Sequence, residues 1–210
     1  LAMEAEYHRK HGHDVVWDGM DDGSFDIIVK EPSLDSFEML PAPDRIFTHA
    51  FDKKYQNNGN FKYHPGTYIQ SASSCWWGKC SFCSEKDKPY QVRPVEQVIQ
   101  ELEECNKLGF KEVFDDSGTF PIATWLDEFC YNVIQRKFGI HLGCNMRMVD
   151  TDYELMRRAG FRMLLFGLES ANQKTLDRID KNLKVEDIVS SCRAAREAGL
   201  YPHITIMFGY

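Results

Sequence analysis

The stretch SSCWWGKCSFCSEK, residues 73–86, sets Cys75, Cys80 and Cys83 within nine residues, with two tryptophans, a glycine and a lysine between the first pair. Thiols this close admit three chemistries: a disulfide knot, a zinc site, or an iron–sulfur cluster with one iron left open. The choice among them, and the fold, depend on what surrounds the stretch.

Residues 66–72, just before it, read as a strand, and from about residue 90 onward helix-like and strand-like segments alternate. Arg93 and Pro94 open a helix in which Val95, Val98, Ile99, Leu102, Cys105 and Leu108 recur at helical spacing up to Gly109. A strand is expected over 111–114, then a helix over 122–137 with Trp125, Phe129 and Val133 on one face, then a strand over 140–144. Thr151 with Glu154 three residues on has the form of a capping box for a short helix ending near Gly160. A strand over 163–166 follows, and Ser170 with Gln173 repeats the capping pattern for a helix to about residue 179. The segment 185–198 is helical, with Val185, Ile188, Val189, Cys192 and Ala195 turned inward. The β-rich run 203–208 makes a fifth strand. Such alternation implies a parallel sheet with right-handed crossovers, as an open α/β sheet or a (β/α) barrel.

Composition narrows the function classes. A 210-residue chain with 43% hydrophobic residues can bury a core, and a formal charge of −7 without clustered Lys or Arg argues against a nucleic-acid or membrane-surface footprint. No run of about 18 apolar residues occurs, and the first residues lack the apolar core of a signal peptide. The expectation is a soluble cytoplasmic protein whose thiols stay reduced, where a tight cysteine cluster is a metal site rather than a disulfide framework. Cys105, Cys130, Cys144 and Cys192 are scattered and read as small buried hydrophobes.

In parallel α/β architectures chemistry collects beyond the carboxyl ends of the strands. The cysteine cluster follows the first strand, Asp115, Asp116 and Ser117 the second, Asn145 and Arg147 the third, and Gly167, Glu169 and Ser170 the fourth. A lone zinc would take four compact ligands, with His64 as a candidate fourth, and would leave these other strand ends without a role. Three cysteines suit a cubane cluster with one free iron. An amino-acid-like ligand would need a carboxylate for its ammonium and a cation for its carboxylate, which Asp116 and Arg147 could supply.

The motif CWWGKCSFC at the head of this β/α pattern resembles the cluster motif of the radical S-adenosylmethionine (radical SAM) superfamily, and within it the group whose radical domain follows a cobalamin-binding domain. The likeness spans residues 66–210 and includes FDDSGTF, NMR, FGLES and ITIMFG. Four residues separate Cys75 from Cys80, where three are commonest, and Thr205 and Met207 stand where glycine and isoleucine are usual. The resemblance implies that Cys75, Cys80 and Cys83 hold a [4Fe–4S] cluster whose open iron is chelated by S-adenosylmethionine. It implies that Phe82 lies near the adenine, that Asp116 and Ser117 meet the methionyl ammonium, Arg147 its carboxylate, and Glu169 the ribose or sulfonium side. Trp76, Trp77, Phe82 and Phe120 would supply dry walls. The implied reaction is reductive cleavage of S-adenosylmethionine to a 5′-deoxyadenosyl radical that abstracts hydrogen from a substrate. Cobalamin-dependent methylation, methylthiolation and ring formation are among its outcomes, with flavodoxin or ferredoxin as electron donor.

The expected fold is therefore a partial (β/α) barrel of parallel strands, over residues 46–210, truncated after the fifth strand. Residues 1–45 are expected to be a fragment of an upstream α/β domain with its linker, from a helix over 2–12 and strands at 14–17 and 25–29. That unit resembles part of a cobalamin-binding domain, although no Asp-x-His-x-x-Gly signature occurs in the chain. A zinc-stabilised binding module without catalysis and an iron–sulfur electron-transfer protein stand as alternatives.

Overall fold

The apolar runs set apart in the sequence become strands, and their placement fixes where the cysteine loop emerges. The computed structural model describes residues 6, 9–12, 15–17, 27–29, 37, 40–57 and 60–209. They belong to two compact units, Leu1–Asn58 and Gly59–Tyr210.

In the first unit, β1 (Val15–Trp17) pairs in parallel with β2 (Ile27–Val29). Glu6, Arg9 and Lys10 have helical backbone, and residues 2–5, 7 and 8 of the expected helix lie outside the described residues. Arg9 bonds Glu6 at 2.7 Å and Asp44 at 3.1 Å, and its guanidinium lies 4.6 Å from the Phe47 ring centre. Asp44 accepts in addition from the amides of Ile46 and Phe47. A helical turn, α1 (Lys53–Gln56), follows. These contacts bind residues 44–47 to the helical segment around Arg9, and the unit ends at Asn58 where the sequence suggested a border at 45/46.

The second unit is a five-stranded sheet, all parallel, in the order β3 (Gly66–Ile69), β6 (Glu112–Asp115), β7 (His141–Met146), β8 (Phe161–Glu169), β9 (Tyr201–Ile206). Helices α2 (Val95–Leu108), α3 (Thr124–Arg136), α4 (Tyr153–Arg158), α5 (Gln173–Arg178) and α6 (Val185–Glu197) make the crossovers. Sequential strands lie side by side with a helical return between each pair, which is the partial (β/α) barrel expected. β6 is buried along its whole length and β8 along most of it, as strands covered on both faces are, whereas β9 is largely exposed. Phe120 sits edge-on to Trp125, Phe129 and Phe161, with no exposed surface of its own.

Several local expectations are corrected. The expected strand over 66–72 stops at Ile69. Ala72–Ser73 instead forms β4, which pairs antiparallel with β5 (Gln91–Val92) and closes the base of the cysteine loop. Asp152, not Thr151, caps α4, accepting from the Leu155 amide at 2.8 Å. Asn172, not Ser170, caps α5, accepting from Thr175. In α6, Ile188 and Ala195 are buried as expected, yet Val189 is 51% exposed. Phe120 belongs to the core and not to a cleft wall. His64 precedes β3, at the end of the sheet opposite the cysteines, and so cannot join them on a zinc ion. Among the described residues no helix is long and apolar enough to cross a membrane.

Candidate active site

β3 delivers the chain to the carboxyl end of the sheet, and the loop that follows is fixed from below by β6. Asp115, opposite Ile69 in register, accepts from the amide of Ser71 at 3.0 Å, from its hydroxyl, and from the amide of Ser117. The Ser117 hydroxyl accepts from the amides of Ser71 at 3.1 Å and Ala72 at 2.8 Å. Here β4 turns away from β3, and these bonds satisfy amides that the sheet no longer pairs. Burial pushes the Asp115 carboxyl up to about 6 against the opposing effect of its hydrogen bonds. Gly118 is needed at the same place, because a Cβ there would lie 2.4 Å from the carbonyl oxygen of Ser74.

The cysteine loop is held from the side by the turn between α5 and α6. The Ser81 amide donates to the Ile179 carbonyl at 3.0 Å, and the Trp77 indole N–H to the Asp180 carbonyl at 2.8 Å. The Arg147 guanidinium reaches across from the end of β7 and donates to the carbonyls of Lys181 and Asn182, the latter at 2.8 Å. It stacks on Trp76 and Trp77 at 5.5 Å and 4.9 Å from their ring centres. Asp180 and Asn182 adopt positive φ of 54° and 49°, turning these carbonyls toward the loop.

These elements enclose a cleft of about 210 Å³ lined by Cys75, Cys80 and Cys83 together with Phe82, Arg147, Glu169, Lys181 and Thr205, among others. Six of the eight residues expected to form the site therefore share one cavity. The other two, Asp116 and Ser117, do not line it. Ser117 is wholly buried beneath the loop, with its hydroxyl spent on the two amides above. Asp116 is exposed and accepts from the Asn145 side chain at 2.9 Å, so it touches the cleft only through Asn145. Partial desolvation raises its carboxyl, with the hydrogen bond from Asn145 opposing.

Glu169 ends β8 at φ 65° and pairs with Lys181 at 2.9 Å, and its second oxygen lies 3.5 Å from the Thr205 hydroxyl. Lys181 was not singled out in the sequence. It stands in a polar turn with no periodicity to mark it, and only the packing of that turn against β8 reveals it. Burial raises the Cys80 thiol while Lys181 and Arg147 draw it down. Burial lowers Arg147, with Cys80 and Cys75 opposing.

All seven cysteines are free. Three thiols in one cleft, beside two cations, have the chemistry a cysteine-ligated iron–sulfur cluster would need. The Cys83 sulfur already accepts from the Glu85 amide at 3.4 Å. Among the described residues the buried Trp76 indole N–H has no hydrogen-bond partner. Among the described residues no three His, Cys, Asp or Glu side chains converge as ligands of a single ion would, a convergence that thiolates on separate irons do not require.

Comparison with known proteins agrees with this geometry. The family model described as "Radical SAM superfamily" matches residues 69–210. The anaerobic magnesium-protoporphyrin IX monomethyl ester cyclase of Rubrivivax gelatinosus is 29% identical over 140 residues, covering 62% of this chain and 25% of the cyclase. The cobalamin-dependent S-adenosylmethionine radical enzyme OxsB superposes with a TM-score of 0.67 at 17% identity, over 83% of this chain and 27% of OxsB. The radical S-adenosylmethionine methyltransferase TsrM of Kitasatospora setae does so with a TM-score of 0.61 at 19% identity, over 69% of this chain and 30% of TsrM. The chain thus spans less than a third of each of these proteins.

Proposed function

From the premise that this chain belongs to the radical SAM superfamily, we propose that it binds a [4Fe–4S] cluster through Cys75, Cys80 and Cys83 and cleaves S-adenosylmethionine in the cleft they line. The observation that carries the proposal is the joining of three thiols, an aromatic ring, two cations and a carboxylate in one cavity at the carboxyl ends of parallel strands. When bound, the cluster supplies the one electron that divides the ligand's carbon–sulfur bond into methionine and a 5′-deoxyadenosyl radical, which then takes hydrogen from a substrate carbon.

The chain's own residues bind, orient and exclude water. Phe82 offers an apolar face to the adenine. Glu169 accepts from the ribose hydroxyls or the ammonium, with Thr205 beside it. Arg147, clamped by two carbonyls and two indoles, keeps the tryptophans packed and presents positive charge to the ligand's carboxylate. Asp116 contributes to the ammonium contact by orienting Asn145, which lines the cleft.

A low-potential donor such as flavodoxin or ferredoxin and a cytoplasmic setting belong to the same proposal. So does cobalamin, held by a neighbouring α/β domain for methyl transfer. The resemblance to the cobalamin-dependent OxsB and to the methyltransferase TsrM supports this reading. The test is to reconstitute the chain anaerobically with iron and sulfide, reduce it with dithionite, add S-adenosylmethionine and quantify 5′-deoxyadenosine and methionine by chromatography. Both products should form in equal amounts and vanish with Cys83→Ala. Unconsumed S-adenosylmethionine over a loaded, reduced cluster would contradict the proposal.

A further inference from the structure

Two cations face the three cysteines, and they are held differently. The Arg147 guanidinium is spent on two backbone carbonyls and lies against two indoles. Lys181 is 8% exposed, lies 5.9 Å from the Phe82 ring centre, and its ammonium bonds Glu169. Burial raises the Cys80 thiol, and the charges of Lys181 and Arg147 both oppose it.

The pair lies directly against β8. A Cβ on Gly167 would come within 2.6 Å of the Glu169 carboxylate and 2.9 Å of the Lys181 ammonium. Glu169 itself sits at φ 65°, a backbone state that non-glycine residues rarely adopt. The missing side chain at Gly167 leaves room for this ion pair beside the cysteines, and Glu169 stands where the register of β8 against β9 shifts.

We infer that the Lys181 ammonium, moderated by its pairing with Glu169, raises the reduction potential of the cluster held by Cys75, Cys80 and Cys83; the inference rests on the cluster reading proposed above. Reduction brings one electron from a low-potential donor onto a unit that already carries thiolate charge, and no proton accompanies it. In a site shielded from water a nearby cation stabilises the added charge far more than it would in bulk solvent. Glu169 cancels part of that effect, so the two side chains pull the potential in opposite directions.

The experiment is a redox titration of the reconstituted 210-residue chain, followed by electron paramagnetic resonance, with dithionite as reductant and no S-adenosylmethionine present. Lys181→Gln should shift the midpoint to more negative potential, Lys181→Arg should stay near the unaltered protein, and Glu169→Gln should shift it to more positive potential. A purely structural role would move both disruptive variants the same way or not at all. Midpoints of Lys181→Gln and Glu169→Gln that match the unaltered protein would overturn the inference while leaving the cluster reading intact. If Lys181→Gln takes up no iron, the Glu169→Gln arm decides, and an unshifted midpoint there overturns it. An unaltered chain that assembles no cluster overturns both.

Discussion

The four-residue strand β6 carries a buried carboxylate at each end, and the two are treated in opposite ways. Glu112, at the amino end, accepts from the Arg162 guanidinium, with Nε at 2.9 Å, and from the amides of Lys62 and Tyr63. Asp115, at the carboxyl end, has hydrogen bonds from the neutral groups of Ser71 and Ser117 and no salt bridge among the described residues. The amino end is closed by a charge pair that ties β8 and the incoming chain to β6. At the carboxyl end the cations Arg147 and Lys181 are kept for the cleft, and neutral donors hold the loop. One strand thus shows how the fold separates holding together from chemistry.

Breaking the amino end should have the largest effect on stability. Glu112→Gln leaves the Arg162 charge buried without its anion, a change that typically costs about 3–5 kcal/mol. Urea unfolding should show that loss, while the folded fraction still takes up iron and sulfide. Equal stability with lost iron uptake would reverse the roles assigned to the two ends.

Asp115 sharpens the comparison through pH. Its folded carboxyl titrates at about 6, against 3.8 for the unperturbed group. Between these values the folded chain keeps a proton that the unfolded chain has released, so stability falls as pH rises from about 4 to about 6 and then levels. The full effect is on the order of 3 kcal/mol. Urea unfolding at several pH values should show that slope, and Asp115→Asn should remove it. A slope unchanged by the substitution would assign the proton elsewhere.

Ser117→Ala is the smallest of the three perturbations. It strips the acceptor from the buried Ala72 amide, at about 1–3 kcal/mol, while the Ser71 amide keeps Asp115. Hydrogen exchange at Ala72 should accelerate more than at Ser71, whereas the S-adenosylmethionine affinity of the loaded protein should change little, since Ser117 does not line the cleft.

Much of this fold is legible because its strongest signals are periodic. Val98, Ile99, Leu102 and Cys105 recur at helical spacing and are all buried, and the run around Val113 and Phe114 can only be a strand with both faces covered. Caps are less legible, since Thr151 and Asp152 are both able acceptors and only the backbone path selects one. The cysteines announce themselves by spacing, and Arg147 and Glu169 by standing at strand ends. Ser117 shares that position, yet its side chain turns inward to meet β4, a ribbon too short to leave a pattern. Lys181 is invisible for a related reason: its partner lies twelve residues back across a helix, and nothing local distinguishes it from a solvated turn lysine.

The most direct measurement of the central claim is electron paramagnetic resonance of the anaerobically reconstituted, dithionite-reduced chain, with and without S-adenosylmethionine, beside Cys80→Ala. A ligand-accessible iron in this cleft predicts a reduced four-iron signal that changes on adding S-adenosylmethionine and is lost or strongly altered in the variant. A signal indifferent to the ligand would point to simple electron transfer, and stoichiometric zinc without a cluster would contradict the account.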